Sequence, residues 1–556
     1  MNKRFFVLLI LTITVTVYGC STTEQAIQPQ QEQPEKVDFS TLLEPPKDWH
    51  HLDEEQTRFR GISSRLAYET ILRDRPSEKQ IVVAVIDGGI DADHEDLKDN
   101  MWINEDEIAG NGIDDDQNGY TDDINGWNFI GGPDGENVNH DTFELTRIYR
   151  SLKPKYANAD TTQLSEEEQE EYAYFREIRS AYEDKVREQV SQYENIRSLE
   201  QSMSQAQQIL SDYYSDSTYT YEELLELEPQ NQQQQFAQNV MLYVMENDID
   251  STLIAEQKKQ VYEFAKYGYN PDFHTRHIVG DNYEDKTERY YGNNDIAGPD
   301  PTHGTHVAGI IAAVRNNETG MNGVSTNTKI MGIRAVPNGD ERDKDVANAI
   351  RYAVDNGAHI INMSFGKGYS PHKETVDAAV KHAEENGVLL VHGAGNDASD
   401  TDNKPSYPTD RYGKGITDEG ASKLWITVGA TSWKPNKDFV ASFSNYGDET
   451  VDVFAPGVDI YSTMPDDTYE FQDGTSMASP VVAGVAALIM AYYPNLSASQ
   501  VKEIILQSAV KYPDKQVILP NQQGSDETLV DFGTLSVTGG LVNVEKALQE
   551  AKRVSQ

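Results

Sequence analysis

Apolar residues arrive along this chain in two rhythms. Ile81 to Ile86 is an unbroken, mostly β-branched run that stops at Asp87, Gly88 and Gly89, which predicts a strand buried on both faces. Val388 to Val391, running into His392, Gly393, Ala394, Gly395 and Asn396, predicts another. Elsewhere the spacing is helical. Val307, Ala308, Ile310, Ile311 and Ala312 form the buried side of a helix opened by His303. Met477 to about Tyr493 is a longer apolar helix, with Pro480 near its start, where a missing N–H is tolerated. Strands alternating with helices from Ile81 to Ala491 predict an α/β fold, a doubly wound and mostly parallel sheet with helices on both faces.

Residues 141–269 follow a different pattern. Steps of three and four from Phe175 through Ile178, Tyr182, Val186, Val190, Tyr193, Ile196, Leu199, Met203 and Ala206 to Ile209 describe one helical stripe. A second runs from about Phe236 to Phe264, and Pro229 with the Gln232 to Gln235 run marks a polar turn between them. An inserted helical hairpin follows, its stripe read as internal packing in preference to a partner site.

At the N-terminus Lys3 and Arg4 precede an apolar run from Phe5 to Val17 and then Tyr18, Gly19 and Cys20, the pattern of a secretory signal over residues 1–20. Cys20 is the only cysteine, so it makes no internal disulfide. An ordinary signal with an incidental cysteine is the alternative to lipidation. Residues 21–48 are rich in Gln, Thr and Glu and read as a flexible tether. The 556 residues carry a net charge of -45, which argues against nucleic acid and anionic membrane surfaces as partners. The acidic residues are dispersed, so solvation explains them better than a basic partner does. Nothing here fixes an oligomeric state.

Three fragments carry chemistry. Asp87 at a strand end is a rigid carboxylate able to orient an imidazole, His303 sits at a helix start, and Ser476 in Gly474 to Pro480 (GTSMASP) lies at a helix N-terminus. Each has a plainer use: Asp87 as a turn cap, Ser476 as a helix cap, and His303 or His306 as a core residue. Together they supply the acid, base and nucleophile of acyl transfer, with His303 as base and His306 structural. Asn396, in a Gly-rich turn, is the natural oxyanion donor.

These blocks, IVVAVIDG at Ile81, HGTHVAG at His303 and GTSMASP at Gly474, resemble the subtilisin-like serine proteases, the subtilases, as does SVTGGLVNVEKA at Ser536. The resemblance implies a subtilisin-like catalytic domain over residues 49–140 and 270–556, interrupted by the helical insertion at 141–269. It implies Asp87, His303, Ser476 and Asn396 as catalytic residues of a serine endopeptidase. It also implies that Ser364, Phe365, Gly366 and Gly395 line the cleft, where an extended peptide adds as a strand. Ser406, before Tyr407 and Pro408, then lies near the base of the pocket for the residue preceding the cut, with no charged residue evident and an apolar or broad preference expected. The Val17–Cys20 ending resembles a bacterial lipobox. That implies acylation of Cys20, anchoring to a lipid bilayer, and a cell-envelope location facing periplasm or exterior.

Asp114 to Asn125 is the metal candidate. Asp114, Asp116 and Asn118 alternate as oxygen ligands, Tyr120 offers its carbonyl and Asp122 follows at the ninth position of a calcium-type loop. Asn125 replaces the usual Glu at position twelve, Asp123 is a substitute, and a solvated acidic turn is the alternative. No segment between Ser21 and Lys79 matches the family's inhibitory propeptide, so the insertion is expected to shield or gate the cleft. A lipid-anchored binding protein that keeps the fold without its hydrolysis is the second functional reading.

Overall fold

The computed structural model describes residues 39, 42, 44–214, 219–247, 249–413, 420–521 and 527–556. The signal segment, Cys20 and almost all of the tether lie outside them. Nine strands form the central sheet: β1 (Ile81–Asp87), β2 (Gly126–Asn128), β3 (Thr328–Arg334), β4 (Ile360–Met363), β5 (Leu389–Gly393), β6 (Trp425–Thr431), β7 (Val453–Pro456), β10 (Val510–Lys511) and β13 (Gly540–Leu541). The hairpins β8 (Ile460–Met464) with β9 (Thr468–Gln472), and β11 (Gln516–Ile518) with β12 (Leu529–Asp531), stand apart from it. The order is β10-β13-β7-β6-β5-β4-β1-β3-β2, parallel throughout except for β10 against β13.

Alternate side chains of each strand enter opposite layers, which is why the runs are continuously apolar. Ile81, Val83 and Val85 of β1 pack with helices Thr302–Ala312, Thr475–Tyr492 and Val544–Val554, whereas Ala84 and Ile86 meet Asp343–Asp355 and Lys373–Glu385 on the other face. From β1 the chain crosses to β3 on one side, then returns to β4 on the other. The crevice beyond the carboxyl ends of β1 and β4 is therefore the place where such sheets hold ligands.

The insertion departs from a simple hairpin. Its first arm is one 45-residue helix, Glu166–Leu210, started by a capping box of Ser165 and Glu168. The second arm is broken at residues 247–250 into Gln232–Glu246 and Ser251–Glu263, because Asp250 caps a new helix through the Leu253 amide at 2.7 Å. A further helix, Glu144–Tyr156, precedes both. Nor does the stripe pack along its whole length. Phe175 and Ile178 are buried near the root and Met203, Ala206 and Leu210 near the tip, while Val190 and Tyr193 between them stay exposed. Two separate clusters, each fed by its own neighbouring helices, replace the single seam expected from periodicity.

Candidate active site

Asp87 is the last residue of β1 and is buried, and its Oδ1 accepts the Gly88 amide at 2.7 Å. His303, second residue of its helix, donates from Nδ1 to Asp87 Oδ1 at 2.8 Å and to Oδ2 at 2.9 Å. Gly304 allows this approach: a Cβ there would stand 2.2 Å from the Gly89 carbonyl oxygen. The β8–β9 hairpin pins the same helix, since Ser462 Oγ donates to the His306 carbonyl and Thr463 Oγ1 to the Thr305 carbonyl, both at 2.7 Å. His306 itself is fully buried, its Nε2 3.2 Å from the Glu470 carbonyl. Burial pulls the His303 pKa down, but the Asp87 carboxylate, with help from Asp300, outweighs it and raises the value above the ordinary histidine range.

Ser476 opens the helix Thr475–Tyr492 and its hydroxyl donates to the Ser364 carbonyl at 3.0 Å. Among the described residues it makes no hydrogen bond to His303. Ser364 nevertheless joins the two halves, because it lines, with Asp87, His303, Val336 and Phe365, a single cleft of about 810 Å³. Catalytic contacts of this kind commonly tighten only with substrate bound. The Ser364 Oγ donates to the Ser476 carbonyl at 3.0 Å and meets Ser479 Oγ at 2.9 Å. It staples β4 to the helix that carries the hydroxyl.

Asn396 is exposed and held by Thr475, whose amide and hydroxyl donate to Asn396 Oδ1 at 2.9 and 3.0 Å. That leaves the Asn396 amide nitrogen on the other side of the group. Thr475 Oγ1 also accepts the Gly395 amide at 3.0 Å. Asn445, buried, anchors the turn from below. Its Oδ1 accepts the Asp397 and Ser399 amides at 3.0 and 2.9 Å, and its Nδ2 donates to the Ala394 carbonyl at 2.9 Å. Neither Thr475 nor Asn445 was evident in the sequence as part of the site. Thr475 was legible only as the neighbour of Ser476, and Asn445 carries no local signal.

Gly366, Gly395 and Ser406 converge, since a Cβ on either glycine would lie 2.7 or 3.5 Å from Ser406 Oγ. The expectation of an uncharged pocket is corrected. Behind Ser406 a small pocket of about 40 Å³ is lined by His392, Tyr407 and Pro408, but also by Asp402, Asp410 and Arg411. The charges come from residues flanking Ser406 at a distance that only the folded loop brings together. Lys367 and Tyr407 exchange backbone hydrogen bonds at 2.9 and 2.8 Å and close this pocket's rim.

The acidic loop is rearranged from its expected ligand set. Oxygens of Asp114, Asp116 and Glu107, the last unforeseen, lie within 4.8 Å of one another. Asp122 turns elsewhere, accepting the Asn111 and Gly112 amides at 3.1 and 2.9 Å. Asn118 Oδ1 accepts the Tyr120 amide at 2.8 Å, and the Tyr120 ring is buried against Trp127 and Tyr352. Asp123 is fully buried, takes hydrogen bonds from Asn104 at 2.8 Å and Tyr352 at 2.6 Å, and has its pKa pushed up by burial to about 6. It is a structural acid rather than a substitute ligand. Glu107 Oε1 accepts the Asp115 amide at 2.7 Å and Oε2 the Asp122 amide at 2.9 Å, so it folds the loop back on itself.

Comparison with known proteins gives the same family. The family model for the subtilases matches residues 78–528. The chain is similar to a thermophilic serine proteinase from Bacillus sp. (strain AK1), at 43% identity over 38% of this chain and 47% of that one. It is also similar to subtilisin DY from Bacillus licheniformis, at 40% identity over 38% of this chain and 72% of the relative. Thermitase from Thermoactinomyces vulgaris is 38% identical over 42% of this chain and 78% of its own length. With the match spanning eight of the nine sheet strands and the helices Thr302–Ala312 and Thr475–Tyr492, the chain belongs to the subtilase family of serine proteases.

Proposed function

We propose that this protein is a serine endopeptidase held at a membrane by acylated Cys20, cutting protein or peptide substrates through an acyl-enzyme. The observation that carries the reading is the bond from His303 to Asp87 at 2.8 Å in the cleft whose Ser364 carbonyl holds the Ser476 hydroxyl. Ser476 swings from that carbonyl to His303 Nε2, loses its proton to the ring and attacks the peptide carbonyl. Asp87 keeps the proton of Nδ1 in place and stabilises the imidazolium. Asn396, its oxygen occupied by Thr475, turns Nδ2 toward the oxyanion. His303 then protonates the leaving amine, and water repeats the sequence in reverse to free the acid. Gly366, just before the Lys367–Tyr407 bridge, offers backbone for an extended substrate.

An organophosphonate should label Ser476 in the wild type, and neither Ser476→Ala nor His303→Ala should be labelled. An intact, folded protein whose Ser476 resists the reagent would reduce the chain to a binding protein.

Calcium fits the donors of Glu107, Asp114 and Asp116, three hard oxygens converging on one point. It would brace the loop between β1 and β2 and take no part in the chemistry. Chelation should then lower the Tm of the wild type and leave that of Glu107→Gln unmoved. Equal Tm values for wild type with calcium and with chelator would remove the ion from the account.

A further inference from the structure

A second groove, of about 1270 Å³, lies beside the catalytic cleft and shares its wall. Asp300, Pro337 and Asn338 line both spaces. The far side of the groove belongs to the insertion, through Lys259, Glu263 and Phe264. Its base is firmly built. The Gly268 carbonyl accepts from the Phe143 amide at 3.0 Å and from Thr146 Oγ1 at 2.8 Å, so the insertion leaves and re-enters the fold at one point. A Cβ on Gly268 would stand 2.3 Å from the Phe143 ring, which packs edge-on against Phe264.

The lining has a definite chemistry. His140 stacks on Tyr267 with ring centroids 4.1 Å apart and planes 10° from parallel. Glu263 on the insertion and Asp300 on the catalytic domain both line the groove with His140, while Lys266 stands 4.7 Å from the Tyr267 ring centroid. The lysine on the lining, Lys259, is 75% exposed and stands 4.0 Å from Glu263. A pair that loose and wet is readily displaced. Aromatic walls for an alkyl stem and carboxylates for its charged head are what an arginine or lysine side chain seeks.

We propose that this groove is a substrate subsite that takes an arginine or lysine on the acyl side of the cut, and that Glu263 of the insertion selects for it. The inference rests on the endopeptidase reading above. A peptide threading between Val336–Asn338 and Ser364–Phe365 passes Asn338, the residue that opens onto both spaces. The insertion is then part of the specificity apparatus, and the enzyme's preference is for segments with a basic residue upstream of the scissile bond.

The test is kinetic, with the full-length protein and fluorogenic octapeptides carrying Arg, Ala or Glu at one position at a time on both sides of the cut. One acyl-side position should favour Arg over Glu by about fivefold in kcat/KM, as one solvent-screened charge pair allows. In Glu263→Lys that ratio should fall to one or invert, while the preference at the residue immediately before the cut stays the same. Glu226→Lys, the same charge change at an exposed position on the helix Tyr221–Glu226 at the insertion's tip, should keep the wild-type ratio. No basic preference on the acyl side, or one that survives in Glu263→Lys, overturns the proposal. Absence of any hydrolysis by wild-type protein would instead fault the endopeptidase reading, and phosphonate labelling of Ser476 reports on that separately.

Discussion

Thr475 fixes the Asn396 carboxamide with two bonds to one oxygen, from its amide at 2.9 Å and its hydroxyl at 3.0 Å. Asn396→Ala should lower kcat by about a hundredfold to a thousandfold with KM little changed, because the lost bond forms chiefly to the developing oxyanion. Thr475→Val keeps the amide bond and loses the hydroxyl. It should fall between Asn396→Ala and wild type, with Thr475→Ser restoring activity. His303 adds a pH signature. Its raised pKa means the imidazolium is favoured in the native state, so the neutral base is reached only at a pH above the ordinary value of about 6.5. The acid limb of kcat/KM should lie above that value, and Asp87→Asn should move it downward as activity collapses. The same ion pair stabilises the fold fully below pH about 6.5 and fades as pH rises through the shifted value. A limb that does not respond to Asp87→Asn would detach His303 from its carboxylate. Gly304→Ala, forced against the Gly89 carbonyl, should displace the helix and cost most of the activity, read as kcat at unchanged substrate range.

Between elements, the root of the insertion is fixed by buried charge. Glu144 of the helix Glu144–Tyr156 meets Arg147 at 2.7 Å and Lys367 at 2.9 Å, and Lys367 also meets Asp343 at 2.8 Å. All four side chains are nearly inaccessible. Burial pushes the Glu144 pKa up, but Arg147 and Lys367 together hold it far below the carboxylate range. Its contribution is therefore complete above the unfolded carboxylate pKa of about 4.3 and is lost only as pH falls toward the depressed value. Because Lys367 follows Gly366 and bonds Tyr407, the same network holds the pocket rim. Glu144→Gln should destabilise by about 1–3 kcal/mol, because Lys367 keeps Asp343 and Arg147 keeps Asp141 and backbone carbonyls, and denaturant unfolding measures it. A loss under about 1 kcal/mol would mean that water or rearrangement satisfies both cations.

The whole molecule has more than one core. The sheet's two faces are served by separate clusters, and the insertion tip has its own, made of Met203, Ala206, Leu210, Leu224, Ala237, Met241, Val244 and Ile254. The helix Glu166–Leu210, about 68 Å long at 1.5 Å per residue, carries that cluster away from the sheet, and its middle exposes Val190 and Tyr193. The tip should exchange amide hydrogens and yield to proteases before the catalytic body. Replacing residues 187–258 with a short turn should leave the main Tm and short-peptide hydrolysis intact, because no residue of the two sheet cores is removed. Loss of the main transition in that variant would show that the tip core and sheet core are one cooperative unit.

Local order was written plainly in the residues. Continuous apolar runs specify strands covered on both faces, so β1, β5 and the ends that carry Asp87 and Asn396 could be read directly, as could the helices that begin at His303 and Ser476. Each depends on contacts within a few residues. The insertion's broken arm, the exposed middle of its stripe, the anchoring of Asn396 by Thr475 and of its turn by Asn445, and the use of the Asp122 carboxylate on the Asn111 and Gly112 amides depend on which distant segments meet. So do the charges behind Ser406 and the groove that Glu263 shares with Asp300. A period of 3.6 says which residues share a helix face, but not what stands opposite that face. That partner is supplied by chain closure in three dimensions, where burial and unpaired charge select one arrangement from many with the same pattern.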